Sequence, residues 1–295
     1  GSDFTPYLQY DFGHIRGPVT ASGTFSVGGA MITARCELGG AGVQNAGLAF
    51  GGNPSPSIST CTEEYNGTTW AAAGAIASST TIAGGGVGTQ NAALSAAAGW
   101  PGVHNPALHY NGTNWSTGGS KIDDATRIRA AQTGTQNAAL VYGGRSCCTC
   151  TEEYNGTSWS VVSGLSVGRY HMGAAGLQNA ALAAGGTGPP GLQSSTCTEE
   201  YNGSVWATAA SMPAPIKRNP GGGTQKAAVS FGDSAPVSTK ITNHYDGTTW
   251  SAGGLKINDS GDYAAAGLEH SALVFGGDAP HGTCTEHYNT TYMNT

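Results

Sequence analysis

Paired carboxylates are the side chains of this sequence that most directly suggest chemistry, because two carboxyl groups flanking one glycosidic bond can hydrolyse it. Three adjacent pairs occur, at Glu63-Glu64, Glu152-Glu153 and Glu199-Glu200. Each pair stands in a Thr-Glu-Glu-Tyr stretch, and neighbouring residues of a strand point to opposite faces. The two carboxylates of a pair therefore cannot flank one bond, and their recurrence at one position indicates a structural role.

Histidine side chains raise the question of a metal site. They replace the second glutamate of the pair in other copies of the same pattern, at His109, His244 and His287. A metal site would need these side chains to converge. They lie on separate third strands, which we expect near the rim of the fold, so we predict no metal and no cofactor.

Cysteine usage leaves three alternatives open. Four of the seven cysteines share one repeat position, at Cys61, Cys150, Cys197 and Cys284. Equivalent positions of adjacent repeats lie beyond the Cα separation of about 7 Å that a disulfide spans, so we expect no bridge among these four. Free thiols are the favoured interpretation, followed by one or two local disulfides. The disulfide candidates are Cys36 with Cys61 or Cys284, and Cys147 or Cys148. A metal site at Cys-Cys-x-Cys is least favoured, because no histidine lies near it in sequence.

One pattern recurs six times and organises the chain. In its third copy, residues 134–159 read GTQNAALVYGGRSCCTCTEEYNGTSW. A Gln or Glu precedes a small-residue position by eight residues in every copy, and a Tyr precedes a Trp by five residues in five copies. Successive Trp residues are 44 to 47 residues apart, a period typical of propeller blades. The 48 glycines and frequent turn pairs exclude helical repeats.

Each copy is predicted to form four short strands. In the third copy we place them near residues 129–133, 137–142, 149–154 and 158–162, with Asn155-Gly156 as a tight hairpin between the last two.

These residues resemble the kelch repeat, in which a hydrophobic strand ends in Gly-Gly, a Glu-x-Tyr strand follows, and a turn leads to a Trp. The resemblance covers about residues 24–289. It implies an all-β, six-bladed β-propeller whose blades are four-stranded antiparallel sheets. Two departures are an Asn-Gly or Asp-Gly where kelch repeats carry Asp-Pro, and Ala97-Ala98 in place of a glycine pair. Galactose-oxidase-like enzymes use such a propeller, but their paired axial histidines and radical-bearing extra domain are missing, so we predict no enzyme.

The two ends of the chain are predicted to meet in one blade. Phe25 aligns with Trp250, the first residue of a fourth strand, although no blade precedes it. The last copy supplies three strands and then ends. We therefore expect the N-terminal strand, about residues 24–31, to complete the last blade and remove its exposed edge. The predicted organisation is an extended arm over residues 1–23, a propeller over 24–290 and a tail over 291–295.

The turns that vary between copies share one side of the predicted disc, which we call the variable face. It carries the loops between second and third strands and the connections from one blade to the next. Loops held on a rigid frame commonly bind ligands. The predicted binding residues are Trp100, Arg127, Arg129, Arg169, Tyr170, His171, Lys217, Arg218 and Tyr263, in a cluster that also includes Lys121, Asp123, Asp124, Lys256, Asp259 and Asp262. Arginine and aromatic side chains suit sugar hydroxyls, carboxylates or a partner protein. The alternative is that they are solvated loop residues or tie neighbouring blades together.

Composition excludes some partners. Charged residues make up only 10% of the chain, against about 25% in typical soluble domains. The formal charge of -6 and the 12 dispersed basic residues argue against nucleic acid. No apolar run of about 18 residues is present, so we expect no membrane insertion.

The predicted function is that of a non-enzymatic structural or adhesive propeller. Near-identical blades with little charge look like those of repeat proteins from bacteriophages and environmental microbes. The resemblance implies a component of a virion, such as a tail or capsid decoration, or of an extracellular appendage. We expect partner subunits and host-surface contact, with an N-terminal arm that docks through Tyr7, Leu8, Tyr10, Phe12 and Ile15. The alternative is a lectin-like module that binds cell-surface glycan through the variable face.

Overall fold

The computed structural model describes residues 22–53, 59–76, 85–96, 106–122, 129–145, 148–188, 194–232 and 240–291. In these residues 24 strands form six sheets of four antiparallel strands each, with no α-helix. No helix there is long and apolar enough to span a membrane. The prediction of an all-β fold is confirmed.

The first three blades follow one another along the chain. Blade 1 contains β2 (Gly39–Val43), β3 (Ala46–Phe50), β4 (Thr62–Tyr65) and β5 (Trp70–Ala73). Blade 2 contains β6 (Val87–Thr89), β7 (Ala92–Ser95), β8 (Pro106–Tyr110) and β9 (Trp115–Ser120). Blade 3 contains β10 (Ala131–Thr135), β11 (Ala138–Tyr142), β12 (Thr151–Tyr154) and β13 (Trp159–Val162).

The remaining blades repeat this order, and the last one borrows its outermost strand. Blade 4 contains β14 (Gly173–Leu177), β15 (Ala180–Ala184), β16 (Thr198–Tyr201) and β17 (Trp206–Ala209). Blade 5 contains β18 (Gly221–Thr224), β19 (Ala227–Phe231), β20 (Thr242–Tyr245) and β21 (Trp250–Ala252). Blade 6 contains β22 (Ala264–Leu268), β23 (Ser271–Phe275), β24 (Thr285–Thr291) and β1 (Ser22–Val27).

The first strand of every blade faces a common axis. Strands β2, β6, β10, β14, β18 and β22 each contact the next in that order, and β22 contacts β2. The six sheets therefore close into a six-bladed propeller around a central channel.

Ring closure occurs where the sequence predicted it. Strand β1 pairs antiparallel with β24, in a register from Ser22 opposite Thr291 to Val27 opposite Glu286. Phe25 lies opposite Tyr288, as each Trp of a fourth strand lies opposite the Tyr of its third strand. The pairing covers what would otherwise be the open edge of blade 6.

The repeated residues are those that fasten one blade to the previous one. Gln136, in the turn between β10 and β11, donates from Nε2 to the carbonyls of Ala93 (3.0 Å) and Tyr110 (2.6 Å) in blade 2. The equivalent glutamines of four other blades make the same two bonds. Trp206 donates from Nε1 to Thr151 Oγ1 of the previous blade at 3.1 Å. Equal spacing in the sequence thus reflects equal contacts in the ring.

The Asn-Gly hairpin has a longer loop than the sequence predicted. Tyr154 pairs directly with Trp159, which leaves four residues in the turn rather than the three between the predicted strands. Asn155 Oδ1 accepts hydrogen bonds from the backbone N–H groups of Thr157 (3.0 Å) and Ser158 (2.9 Å). Gly156 takes a φ of 93° that few other residues would adopt. The side chain of the Asn closes the predicted hairpin, and the fourth strand begins one residue later than expected.

Candidate functional site

The paired glutamates are structural. The carboxylate of Glu199 is buried, and it accepts hydrogen bonds from the backbone N–H of Ser166 (2.7 Å) and from Arg169 (2.7 Å). Glu200 points to the opposite face, where it accepts a hydrogen bond from the hydroxyl group of Tyr245 (2.9 Å) and contacts Lys226. The two carboxylates of this pair serve different contacts and do not flank a common space.

The histidines at the second glutamate position bind tyrosine rather than each other. Nε2 of His109 lies 2.8 Å from the hydroxyl of Tyr154, a residue of the next blade. His287 makes the same contact with Tyr65, and burial lowers the pKa of both imidazoles. Among the described residues, no group of three or more His, Cys, Asp or Glu side chains is placed to hold a metal ion.

The cysteines at the shared repeat position are not bridged to one another. Cys61, Cys197 and Cys284 are free thiols, and Cys150 forms a disulfide with Cys148. Cys36 is also free, so the suggested pairing with Cys61 or Cys284 is not formed. Burial, together with nearby carboxylates, raises the pKa of the Cys36 thiol to about 12.

Five residues from five blades meet at the variable face, where the central channel opens. They stand at one repeat position, five residues before the first glycine of positive φ in each innermost strand. They are Glu37, Arg129, His171, Arg218 and Asp262, with φ values of 52°, 60°, 57°, 54° and 51°. We call these five residues the mouth ring. The sixth equivalent position, Ala83, lies outside the described residues.

Backbone hydrogen bonds join the members of the mouth ring from blade to blade. The N–H of His171 donates to the carbonyl of Arg129 at 3.1 Å, and the N–H of Arg218 donates to the carbonyl of His171 at 2.9 Å. The N–H of Glu37 donates to the carbonyl of Asp262 at 2.7 Å. These bonds link the backbones of three consecutive blades and of blades 6 and 1 around the opening.

The side chains of the mouth ring form two ion pairs around a histidine. Arg129 pairs with Glu37, and Arg218 Nη1 lies 2.7 Å from Asp262 Oδ2. Burial lowers the pKa of His171 to about 2, and the charges of Arg129 and Arg218 act in the same direction, so its imidazole is neutral. Burial raises the pKa of Asp262 to about 6, against the opposing effect of Arg218.

Beneath the mouth ring lies a cavity of about 160 Å³. The residue after each ring member lines it, including Leu38, Met172, Asn219 and Tyr263. A second cavity of about 120 Å³ continues along the channel and shares lining residues such as Gln132 with the first. The deeper part is walled mainly by the glycines and alanines of the innermost strands, together with Val87, Gln132 and Thr133. Among the described lining residues, the formally charged side chains therefore lie at the mouth.

The structure brings together four of the predicted binding residues. Arg129, His171 and Arg218 belong to the mouth ring, and Tyr263 lines the cavity with its hydroxyl donating to the Gly232 carbonyl at 2.9 Å. Tyr170 stands beside the mouth, half-buried, with its ring centroid 4.8 Å from that of the adjacent imidazole.

Other predicted residues lie elsewhere. Lys217 is half-buried next to the mouth ring, whereas Trp100 and Arg127 fall outside the described residues. Arg169, a predicted binding residue, does not reach the surface of the variable face, because its side chain is fully buried in the ion pair with Glu199. The structure also buries two members of the wider cluster, Lys121 and Lys256.

Sequence reasoning missed Glu37, and it placed Asp262 only in the wider cluster. Both residues could have been found from their position in the repeat. Counting five residues back from the equivalent glycines, Gly42 and Gly267, reaches these two carboxylates.

Comparison with known proteins supports the fold and adds no function. No family model matches the chain, and no curated protein gives a match. Among solved structures, that of YjhT superposes with a TM-score of 0.71 at 12% sequence identity, over 91% of this chain and 100% of that chain. The likeness is one of fold. The kelch type of the repeat and the phage-like origin stay predictions.

Proposed function

We propose that this protein is a non-enzymatic recognition module that binds a small polar ligand in the mouth of its central channel. The observation that carries the proposal is the mouth ring, with its five polar side chains around one cavity. Concave sites with a few convergent polar groups are where proteins usually bind small molecules.

The contrast between repeat positions supports this assignment. Positions that fasten the blades keep one residue type in most copies, such as the glutamine at Gln44 and Gln178, because these copies make the same bonds. At the mouth ring the backbone is equally constant, with φ between 51° and 60°. The side chains there nevertheless differ from blade to blade. The mouth ring carries four residue types in five blades, which is more variation than the fastening positions show.

Backbone strain points the same way. A residue with a Cβ in the left-handed region is disfavoured by roughly 1–2 kcal/mol, whereas glycine enters it freely. The chain has 48 glycines and uses them at many positions of positive φ, yet it places Glu, Arg, His, Arg and Asp here. Strained residues of this kind cluster at functional sites.

The first test is binding of the purified chain to a glycan array and to intact candidate host cells, with two variants alongside. His171→Gly removes the imidazole and also relieves the strained backbone, so the variant is expected to stay folded and lose binding. Lys226→Ala lies in a turn on the opposite face and is the matched control. Binding that survives His171→Gly would refute the site, and absence of binding by the folded wild type would favour a purely structural role.

Assembly into a larger particle is the second proposed role, and the position of β1 favours it. This strand is the outermost of blade 6, so the segment before Ser22 is attached at the rim, where a neighbouring subunit can be reached. The predicted docking residues of the arm lie outside the described residues. We propose an extracellular or virion setting on the resemblance of the repeats alone. Deleting residues 1–20 should abolish assembly in light scattering, and unchanged assembly would refute the role of the arm.

A further inference from the structure

The charges of the mouth ring balance, which bears on the chemistry of the ligand. This argument rests on the proposed function. Each guanidinium already has a carboxylate partner, Arg129 with Glu37 and Arg218 with Asp262, and the imidazole of His171 is neutral. The described residues that line the cavity include no other formally charged side chain at neutral pH. An anion would have to compete with a carboxylate that is already in place, and a cation would have to compete with a guanidinium.

Unpartnered polar atoms supply both donors and acceptors. Nε2 of His171, Nε of Arg218 and Oδ1 of Asn219 are buried and have no hydrogen-bond partner in the protein. All three residues line the same cavity. Asn219 is 1% exposed, and its Nδ2 is already held by the carbonyl of Ala184 and by Ser230 Oγ. Buried polar groups are nearly always paired, and a ligand that both donates and accepts hydrogen bonds would satisfy these atoms.

The size and the lining of the cavity further limit the kinds of ligand that fit. A volume of about 160 Å³ matches roughly five water molecules at about 30 Å³ each, and it is smaller than the roughly 300–1,000 Å³ of pockets for drug-sized ligands. Met172 and Tyr263 give the lining an apolar part beneath the polar mouth. A sugar ring has this dual character, with hydroxyl groups at its edge and C–H groups on its faces.

We infer that the ligand is a neutral polyhydroxylated molecule of single-ring size, such as an uncharged monosaccharide or the terminal residue of a glycan. Its hydroxyl groups donate to Asn219 Oδ1 and accept from Arg218 Nε. Nε2 of His171 is the third hydrogen-bonding atom that the ligand contacts. The two ion pairs hold their side chains in place and act as further hydrogen-bonding partners, and the apolar part of the lining receives the C–H face of the ring.

The test is a calorimetric titration at pH 7.5 with matched probes of different charge. The neutral probes are the methyl glycosides of glucose, galactose, mannose and N-acetylglucosamine. The charged probes are methyl glucuronide, methyl galacturonide, glucosamine and inorganic phosphate. We expect at least one neutral sugar to bind at least about tenfold more tightly than its uronide and its amino-sugar counterpart, a difference of about 1.4 kcal/mol. His171→Gly should abolish this binding and Lys226→Ala should leave it unchanged.

The variant Asp262→Asn tests the charge argument by itself. It keeps the shape of the side chain but leaves Arg218 without its carboxylate, so the mouth ring gains one positive charge. Affinity for the uronides should rise while affinity for the neutral sugar changes little or falls.

Each result bears on one of the two claims. A uronide, phosphate or glucosamine that binds most tightly and depends on His171 would overturn the neutral-ligand inference and leave the recognition site intact. No binding by any probe would also overturn it, and the array and cell assays would then decide the recognition role separately. A neutral sugar that binds equally well to His171→Gly would overturn both.

Discussion

Replacing Arg169 with methionine tests the assignment of this residue to the interior. Its guanidinium donates from Nη1 to the carbonyls of Gly185 (2.6 Å) and Cys197 (2.8 Å), and from Nη2 to Glu199 Oε1 (2.7 Å). Both side chains of the ion pair are 0% exposed. Arg35 makes the same three contacts in blade 1, as expected of a structural device that the repeat carries.

The cost of this substitution follows from what it leaves behind. Methionine retains much of the volume, but Glu199 loses its only cationic partner among the described residues, and two carbonyls lose a donor. Removing one member of a buried ion pair typically costs about 3–5 kcal/mol. Each unpaired carbonyl adds about 1–3 kcal/mol when it cannot reach water, although such losses overlap. We therefore expect a loss of about 4 kcal/mol in the free energy of unfolding.

The matched control uses the other glutamate of the same pair. Lys226 contacts Glu200, and its side chain is 59% exposed. Exposed pairs contribute about 0–1 kcal/mol, so Lys226→Met should change stability little. Both variants would be compared with the wild type by equilibrium unfolding in urea, followed by tryptophan fluorescence.

Two results would refute the reasoning. Equal losses of unfolding free energy in the two variants would show that burial does not determine how much the Arg169 ion pair contributes to stability. A folded Arg169→Met protein that loses ligand binding while the mouth ring variants retain it would show that this residue acts on the ligand directly.

Four further predictions concern the mouth ring and the contacts between blades. Because the folded state holds the proton of Asp262 more tightly than the unfolded chain does, with a pKa of about 6, this group should add about 1 kcal/mol of stability as pH falls from 7 to 5. Asp262→Asn should lack that gain. His171 acts with the opposite sign, because its imidazole stays neutral in the folded protein, whereas the unfolded chain binds the proton below the ordinary histidine pKa of about 6.5. The folded state should therefore lose roughly 2 kcal/mol of stability through His171 as pH falls from 7 to 5. His171→Asn should remove that loss. Gln225→Ala removes two bonds to the previous blade, of 3.0 and 2.6 Å, and should cost about 1–3 kcal/mol in urea unfolding. Deleting residues 1–27 removes β1, exposes the edge of β24 and should cause concentration-dependent association in light scattering.

Each of these measurements has its own control. The two pH variants serve as controls for each other, because their pH-dependent changes relative to wild type should differ in sign. Changes of the same sign would contradict the electrostatic description of the mouth. A Gln225→Ala protein as stable as wild type would show that the bonds between blades are replaced by water at no cost. Attaching the β1 sequence after Thr291 should rescue the deletion, and failure of that rescue would argue against ring closure as the reason for the association.

Much of the fold could be predicted because the contacts between blades recur at fixed spacing. The glutamine at the start of the repeat makes the same two bonds in five copies, and the tryptophan bonds a threonine of the previous blade in four, so the sequence shows the period directly. The predicted strand boundaries agree less closely with the structure. The first strand of blade 3 was predicted to begin at residue 129 and begins at Ala131, because Arg129 adopts a φ of 60° that a strand does not accommodate.

The candidate site was only partly predictable, because sequence position does not show burial. Arg169 and His171 are two residues apart and were assigned to the same exposed cluster. The first is held inside by Glu199, which lies 30 residues further along the chain, whereas the second turns toward the channel. A local pattern cannot separate two such side chains when the deciding partner lies in another strand.

The sequence by itself determined the number of blades, the four strands of each and the strand that closes the ring, since these depend on spacing within about one repeat. Only the tertiary structure decided that Glu37, Arg129, His171, Arg218 and Asp262 share one opening. They lie 42 to 92 residues from one another in consecutive order along the chain, and they share a repeat position but no common residue type. They meet because closing six similar blades around an axis brings equivalent positions together, so their combined charge and hydrogen-bonding capacity exist only in the closed ring.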